Sequence, residues 1–198
     1  MLVDQTVRDI LASFSAPDPT PGGGSASALA SAIGVSLLMM VAGLAKTRNG
    51  SDDDRAALAA ASAALAAIRD ELTTAIDTDT AAYAQVVNAY KLAKATPDEQ
   101  ETRKAAIQRA MRTATAIPLS VMRLSAVALE HAAAVEAYGN PSAASDVGVA
   151  IALLNAGRHG AQLNVETNLG SLKDQDLVER IRRDVKRFAL ISAPLPPP

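Results

Sequence analysis

The chain has no cysteine and no tryptophan, and only two histidines, two phenylalanines and three tyrosines among 198 residues. Absence of cysteine excludes disulfides and thiolate metal sites, and it leaves the redox compartment unread. His131 and His159 cannot build a histidine-rich metal centre between them, and no other cluster of metal-ligating residues stands out, so no metal is expected. Charge is also sparse and balanced: 20% charged residues and a formal net charge of −2. That balance leaves no electrostatic footprint for nucleic acid or for an anionic membrane. The N-terminus, Met1-Leu2-Val3-Asp4, has an early acid and no basic region, so it does not read as a secretory signal, and a cytoplasmic protein is expected.

What the chain has in quantity is alanine, with serine and a few well-placed glycines beside it. Pro21-Gly22-Gly23-Gly24-Ser25 leads into a run without charge as far as Lys46. Three glycines allow close backbone approach to a ligand, and Ser25 is a good N-cap for the helix that follows. The helix N-terminus is a place for an anion or a polar group. About twenty apolar residues also suffice to cross a bilayer. However, Ser25, Ser27, Ser31, Ser36 and many alanines make the run weakly lipophilic, and no second such run exists. The preferred reading is a soluble central helix over about 25–46, buried on all sides, and not a membrane span.

Helical signals continue throughout. Val3, Val7, Ile10, Leu11 and Phe14 mark a short amphipathic helix, ended by alternating prolines at 17, 19 and 21. Ser51 followed by three aspartates opens a third helix. Thr96-Pro97-Asp98-Glu99 opens a fourth with a capping box, and Pro118 should kink or restart it. Gly139-Asn140-Pro141 stops one helix and starts the next, which runs to about Asn168, and a last helix spans about 174–190. No strand pattern appears. The expected fold is all-α, an antiparallel helical bundle with a long buried central helix. It forms one domain over 1–192 with a proline-rich tail at 193–198. With so few large aromatics, the helices must approach closely through Ala, Gly and Ser, and the thin core calls for a second subunit, most simply in a twofold dimer.

Two carboxylates break the pattern. On the third helix the apolar stripe steps through 65, 68, 72, 76, 79, 83, 86 and 90, so Asp79 takes a position that should be apolar. There it must be paired, neutral or facing a cavity, and a structural and a functional role both fit. Asp77 should point elsewhere and be solvated. Asp146 lies in the first half of its helix, where the dipole alone can account for it. Asp146 and Asn164 are about 27 Å apart at 1.5 Å per residue, and Ser25 and Lys46 about 31 Å apart, so neither pair meets one reacting atom within a chain. The glycine run is not a phosphate-binding P-loop, since no Gly-Lys-Ser/Thr follows and no strand precedes it.

Four stretches together resemble the cyclodeaminase/cyclohydrolase family, the C-terminal domain of formiminotransferase-cyclodeaminase and its stand-alone relatives. They are Pro19-Thr20-Pro21-Gly22-Gly23-Gly24-Ser25-Ala26, Asp77-Thr78-Asp79-Thr80-Ala81-Ala82-Tyr83, Gly139-Asn140 through Ser145-Asp146-Val147-Gly148, and Asn164-Val165-Glu166-Thr167-Asn168-Leu169. Where family members carry Leu-Thr-x-Gly-Lys, this chain has Leu44-Ala45-Lys46-Thr47-Arg48, with lysine near its expected place and the glycine missing. The resemblance implies a helical homodimer acting on a tetrahydrofolate one-carbon unit, with the folate as substrate, no further cofactor, and the site near the subunit interface. Methenyltetrahydrofolate cyclohydrolase is the first expectation. A formiminotetrahydrofolate cyclodeaminase or a non-catalytic folate-binding dimer is the alternative. Asp79 or Asp146 would be the general acid/base. Tyr83 would orient the ligand. Gly22, Gly23, Gly24, Ser25 and Asn140 would hold its pterin or reacting edge, Asn164 would also bind the substrate, and Lys46 and Arg48, supplied by the other chain, would meet its glutamate.

Overall fold

The computed structural model describes residues 1–191, so the proline-rich tail expected at 193–198 falls outside the described residues. Six α-helices follow in order: α1 Val7–Ser15, α2 Gly23–Ala42, α3 Asp52–Lys91, α4 Pro97–Tyr138, α5 Ala144–Leu169 and α6 Gln175–Ala189. Among the described residues there is no strand. The fold is all-α, as expected.

The helix starts follow local chemistry. The Ser51 hydroxyl accepts from the Asp54 N–H, and Thr96 with Glu99 forms the complete capping box ahead of α4. Three boundaries differ from the sequence expectation. The α2 helix starts at Gly23 with Gly22 as its cap, so Ser25 lies inside the first turn and is not the N-cap. It also ends at Ala42, because Gly43 closes it before Lys46 is reached. The α5 helix starts at Ala144, after a short 3-10 turn over Pro141–Ala143 in which the Asn140 Oδ1 accepts from the Ser142 N–H. Pro118 does not restart α4, which is continuous through it.

The α2 helix packs against α3, α4 and α5, and α3 and α4 form a long hairpin beside it. The α5 helix runs antiparallel to α2: Asn164 lies by Gly23, Gly160 by Ser27, Gly157 by Ser31, and Leu154 by Gly34. Small residues at these crossings bring the two backbones together, as the alanine-rich composition requires. Buried Val35, Leu38, Leu65, Leu72, Met122, Leu129, Ile151 and Leu154 fill the layers between. At the end of α6, the Arg158 guanidinium donates to the carbonyls of Phe188, Ala189 and Ile191, closing orphaned helix-terminal acceptors.

The α2 helix is not buried on all sides. Ile33 is 46% exposed and Met40 43%, and on the neighbouring α5 Val149 is 51% and Leu163 52% exposed. These exposed apolar side chains stand on the outward rows of α2 and α5, with Ser36 and His159 exposed among them. The helix is long and apolar enough to cross a membrane, and half of it is buried within the bundle. The Ser25 level of α2 meets Asp79 on α3. The twelve residues of α3 from Thr80 to Lys91 therefore continue about 18 Å past that level, beyond the start of α2, at 1.5 Å per residue. That overhang, with the paired part of α4, makes one wall of a cleft.

Candidate active site

The cleft has a volume of about 420 Å³ and three walls. The loop from Pro19 to Gly24 forms one, Tyr83, Val86 and Tyr90 of α3 with Met111 and Ala114 of α4 form the second, and Asn164, Thr167 and Asn168 of α5 form the third. Asp79 lies at its base. A wider groove of about 600 Å³ between α3 and α4, lined by Thr74, Thr78, Thr113 and Ser120, holds none of the residues that break the helical pattern.

Asp79 is half-buried and faces the first turn of α2. The Ser25 hydroxyl lies 2.8 Å from the Ile76 carbonyl and 3.2 Å from Asp79 Oδ2, so its single proton is shared between two acceptors. Thr80 Oγ1 stands 3.3 Å from the same hydroxyl and can donate to it. The Gly22 cap offers no side chain to the free N–H groups of α2, and the Asp79 carboxylate from another helix takes that place. Burial pushes the Asp79 carboxyl above its ordinary value, and hydrogen bonds from the Ser25 side chain and backbone oppose the rise. A carboxyl raised toward neutrality, reached from a cleft, is suited to take and return a proton.

The glycines differ in what they do here. A Cβ on Gly24 would overlap the Asp79 carboxylate, whereas one on Gly23 would come only within 3.3 Å of Asn164 Nδ2, and one on Gly22 within 3.5 Å of the Pro19 carbonyl. The run makes room for a carboxylate of the same chain more than it cradles a foreign anion. We expect Gly24→Ala to displace Asp79 and lower the turnover of the family substrate at least tenfold, with Gly23→Ala within about threefold of wild type, since a 1.4 kcal/mol perturbation is already tenfold. Side-by-side kinetics of the two variants check this.

The structure brings Gly22, Gly23, Gly24, Ser25, Asp79, Tyr83 and Asn164 together. It does not bring Asp146, Asn140, Lys46 or Arg48 to them within one chain. Asn140 and Arg48 line a separate small cavity with Glu136 and Pro141. The Arg48 N–H donates to the Tyr138 carbonyl and its guanidinium to the Glu136 carbonyl, both at 2.9 Å, so this residue closes the end of α4. Lys46 is exposed in the same loop. Asp146 lies one turn past Asn140 at that far end. Asp77 is not solvated as expected. Its Oδ1 accepts from the Leu2 N–H at 2.5 Å, and its Oδ2 is buried without a partner. Sequence reasoning left Tyr90, Met111, Thr167 and Asn168 out of the site. The signal for Asn168 was present, since it falls one helical turn after Asn164.

Fold and cleft define an all-helical protein in which a half-buried carboxylate of α3 faces both a cleft and the first turn of the central helix. The chain belongs to the formiminotransferase-cyclodeaminase family, whose model its residues 6–187 match. It is 33% identical over 186 residues to a methenyltetrahydrofolate cyclohydrolase of Methylorubrum extorquens, covering 94% of this chain and 89% of that protein. It is 31% identical over 184 residues to the formimidoyltransferase-cyclodeaminase of Rattus norvegicus, covering 93% of this chain. It spans only 34% of the rat protein's length. The fold matches the crystal structure of formiminotetrahydrofolate cyclodeaminase from Thermotoga maritima with a TM-score of 0.83 over 95% of this chain and 90% of that one, at 22% identity.

Proposed function

We propose that this protein is a methenyltetrahydrofolate cyclohydrolase, converting 5,10-methenyltetrahydrofolate and water to 10-formyltetrahydrofolate. The observation that carries the reading is Asp79: a carboxyl raised by burial, at the base of a cleft with aromatic side chains on one wall. Likeness to the cyclohydrolase of M. extorquens over nearly its whole length favours water addition. Asp79 takes a proton from water as its oxygen bonds the methenyl carbon. It then delivers that proton to N5 as the C–N5 bond breaks. The new hydroxyl gives its proton to solvent and leaves the formyl group on N10. Tyr83, Asn164 and the Gly22–Ser25 turn orient the pterin end.

The second reading is cyclodeamination, in which N10 attacks a formimino carbon and ammonia departs. The 31% identity to the rat bifunctional protein favours it. Purified protein given each substrate in turn separates the two. The reading expects loss of the near-ultraviolet absorbance of methenyltetrahydrofolate well above the uncatalysed rate. Ammonia from the formimino substrate alone favours the second reading, and turnover of neither sinks both.

The reading includes a soluble, cytoplasmic homodimer that needs neither membrane nor nucleic acid. The apolar face of α2 and α5 is the surface for a second copy. Ile33 lies near the midpoint of the α2 helix, which runs from Gly23 to Ala42. A twofold axis there would set Met40 of one chain beside the first turn of its partner. The same axis would bring the far end of the bundle, with Lys46, Arg48, Asn140 and Asp146, to the level of the partner's cleft. One substrate-length site would then draw its acid from one chain and its glutamate-binding cations from the other.

A further inference from the structure

Pro118 lies inside α4 and has no N–H to give the carbonyl of Ala114, four residues back. That carbonyl is not left bare, because Asn168 Nδ2, on α5, donates to it at 2.9 Å. One turn earlier, Asn164 Nδ2 donates to the Gly160 carbonyl at 2.8 Å. Each amide is therefore held by its nitrogen, which fixes which end is oxygen. Ala114, Asn164 and Asn168 all line the cleft that holds Asp79. Among the described residues no group donates to either Oδ1, and neither oxygen is sealed from solvent. Their spacing on α5 puts the two oxygens on one face, roughly 5–6 Å apart at the level of Cβ.

We infer that Asn168 is a ligand-binding residue and Pro118 its positioning residue. The proline frees a carbonyl, the carbonyl holds the Asn168 nitrogen, and the Asn168 oxygen is left beside that of Asn164 to accept from a flat ligand edge. The edge that fits carries neighbouring N–H donors, as the aminopyrimidinone edge of a reduced pterin does. Tyr83 and Tyr90 across the cleft offer faces against which such a ring can lie. This assignment rests on the folate reading above and adds to it which end of the substrate α5 grips. The bland alternative is that Asn168 only patches the gap left by the proline.

A double-variant cycle separates the two. Pro118→Ala returns an N–H to position 118, so α4 can satisfy the Ala114 carbonyl by itself. Asn168→Ala alone should lower the melting temperature and raise KM for methenyltetrahydrofolate about tenfold, the effect of one hydrogen bond, with a smaller change in kcat. In the Pro118→Ala/Asn168→Ala protein the melting temperature should recover while KM stays raised. Recovery of KM together with stability overturns the inference and leaves Asn168 a structural patch. If Pro118→Ala does not fold, KM of Asn168→Ala measured well below its melting temperature decides, since a patch leaves KM of the folded protein unchanged. If the wild type turns over neither folate substrate, calorimetric titration with tetrahydrofolate takes the place of KM. A tenfold weaker Kd for Asn168→Ala then supports the inference without the reaction, and no binding by the wild type overturns both.

Discussion

Replacing Asp79 by asparagine is expected to cut kcat by roughly 10²–10⁴-fold, the range for loss of a positioned general acid/base. The fold should survive it. Asparagine keeps the size of the side chain and an oxygen that can accept from the Ser25 hydroxyl. The direction of the pKa shift gives a second signature. A carboxyl raised above its ordinary 3.8 keeps its proton in the folded state at pH values where the unfolded chain has lost it. Stability therefore falls as pH rises from that ordinary value through the raised one. Asp79→Asn removes this dependence, so its melting temperature at neutral pH should equal or exceed that of wild type. A large kinetic loss without a stability loss marks a group kept for chemistry. Equal losses of both, seen by kinetics and thermal melts on one preparation, would mark a structural carboxylate.

The largest effect on stability is expected at Gly157. A Cβ there would overlap the Ser31 hydroxyl and lie 2.6 Å from the Ser27 carbonyl oxygen of α2. A hydroxyl can rotate away, but a helix carbonyl cannot, so α2 and α5 would have to separate. Overpacking of this kind costs typically 1–3 kcal/mol, and alanine returns about 1 kcal/mol over glycine through helix propensity. Gly157→Ala should thus lose about 1 kcal/mol, and Gly157→Val, which adds bulk and a β-branch, should fail to give soluble folded protein. Denaturant unfolding of Gly157→Ala measures the first, and solubility on expression the second. At Gly50, by contrast, nothing lies within 4 Å of the added Cβ, and the cost of a side chain comes from its φ of 70°.

The reasons some features were legible in the sequence and others were not are physical. Asp79 stood out because a helix repeats its faces every three or four residues, and a carboxylate on the core stripe breaks that repeat. Close packing of helices is legible in the shortage of aromatics and the abundance of alanine, but not that α2 and α5 are the pair that meets most closely. The start of α2 was misread because capping rules look to neighbouring residues, whereas here the carboxylate over the first turn comes from Asp79, more than fifty residues on. The uncharged run of α2 was read as buried throughout, since absence of charge marks a face as apolar without saying whether its own chain covers it. The periodicity of Asp77 points away from the core stripe and predicts a solvated carboxylate, yet the Leu2 N–H reaches it from the N-terminal segment. The four-residue spacing sets Asn168 beside Asn164, but its anchoring on a carbonyl freed by a proline in a different helix is a pairing that no local pattern displays.

Distance arithmetic along α5 already separated Asp146 from the Asn164 end of the cleft by about 27 Å within one chain. The centre under test is one that takes Asp79 from one chain and Asp146 from another copy, and subunit mixing tests this most directly. Asp79→Asn and Asp146→Asn chains are each purified, shown to be inactive toward methenyltetrahydrofolate, then unfolded together and refolded as a mixture. With random pairing into twofold dimers, half are mixed, and each mixed dimer rebuilds one of its two sites, so about one quarter of wild-type activity should return. No activity beyond the sum of the separate variants, or an Asp146→Asn chain as active as wild type on its own, would contradict a centre shared between two chains.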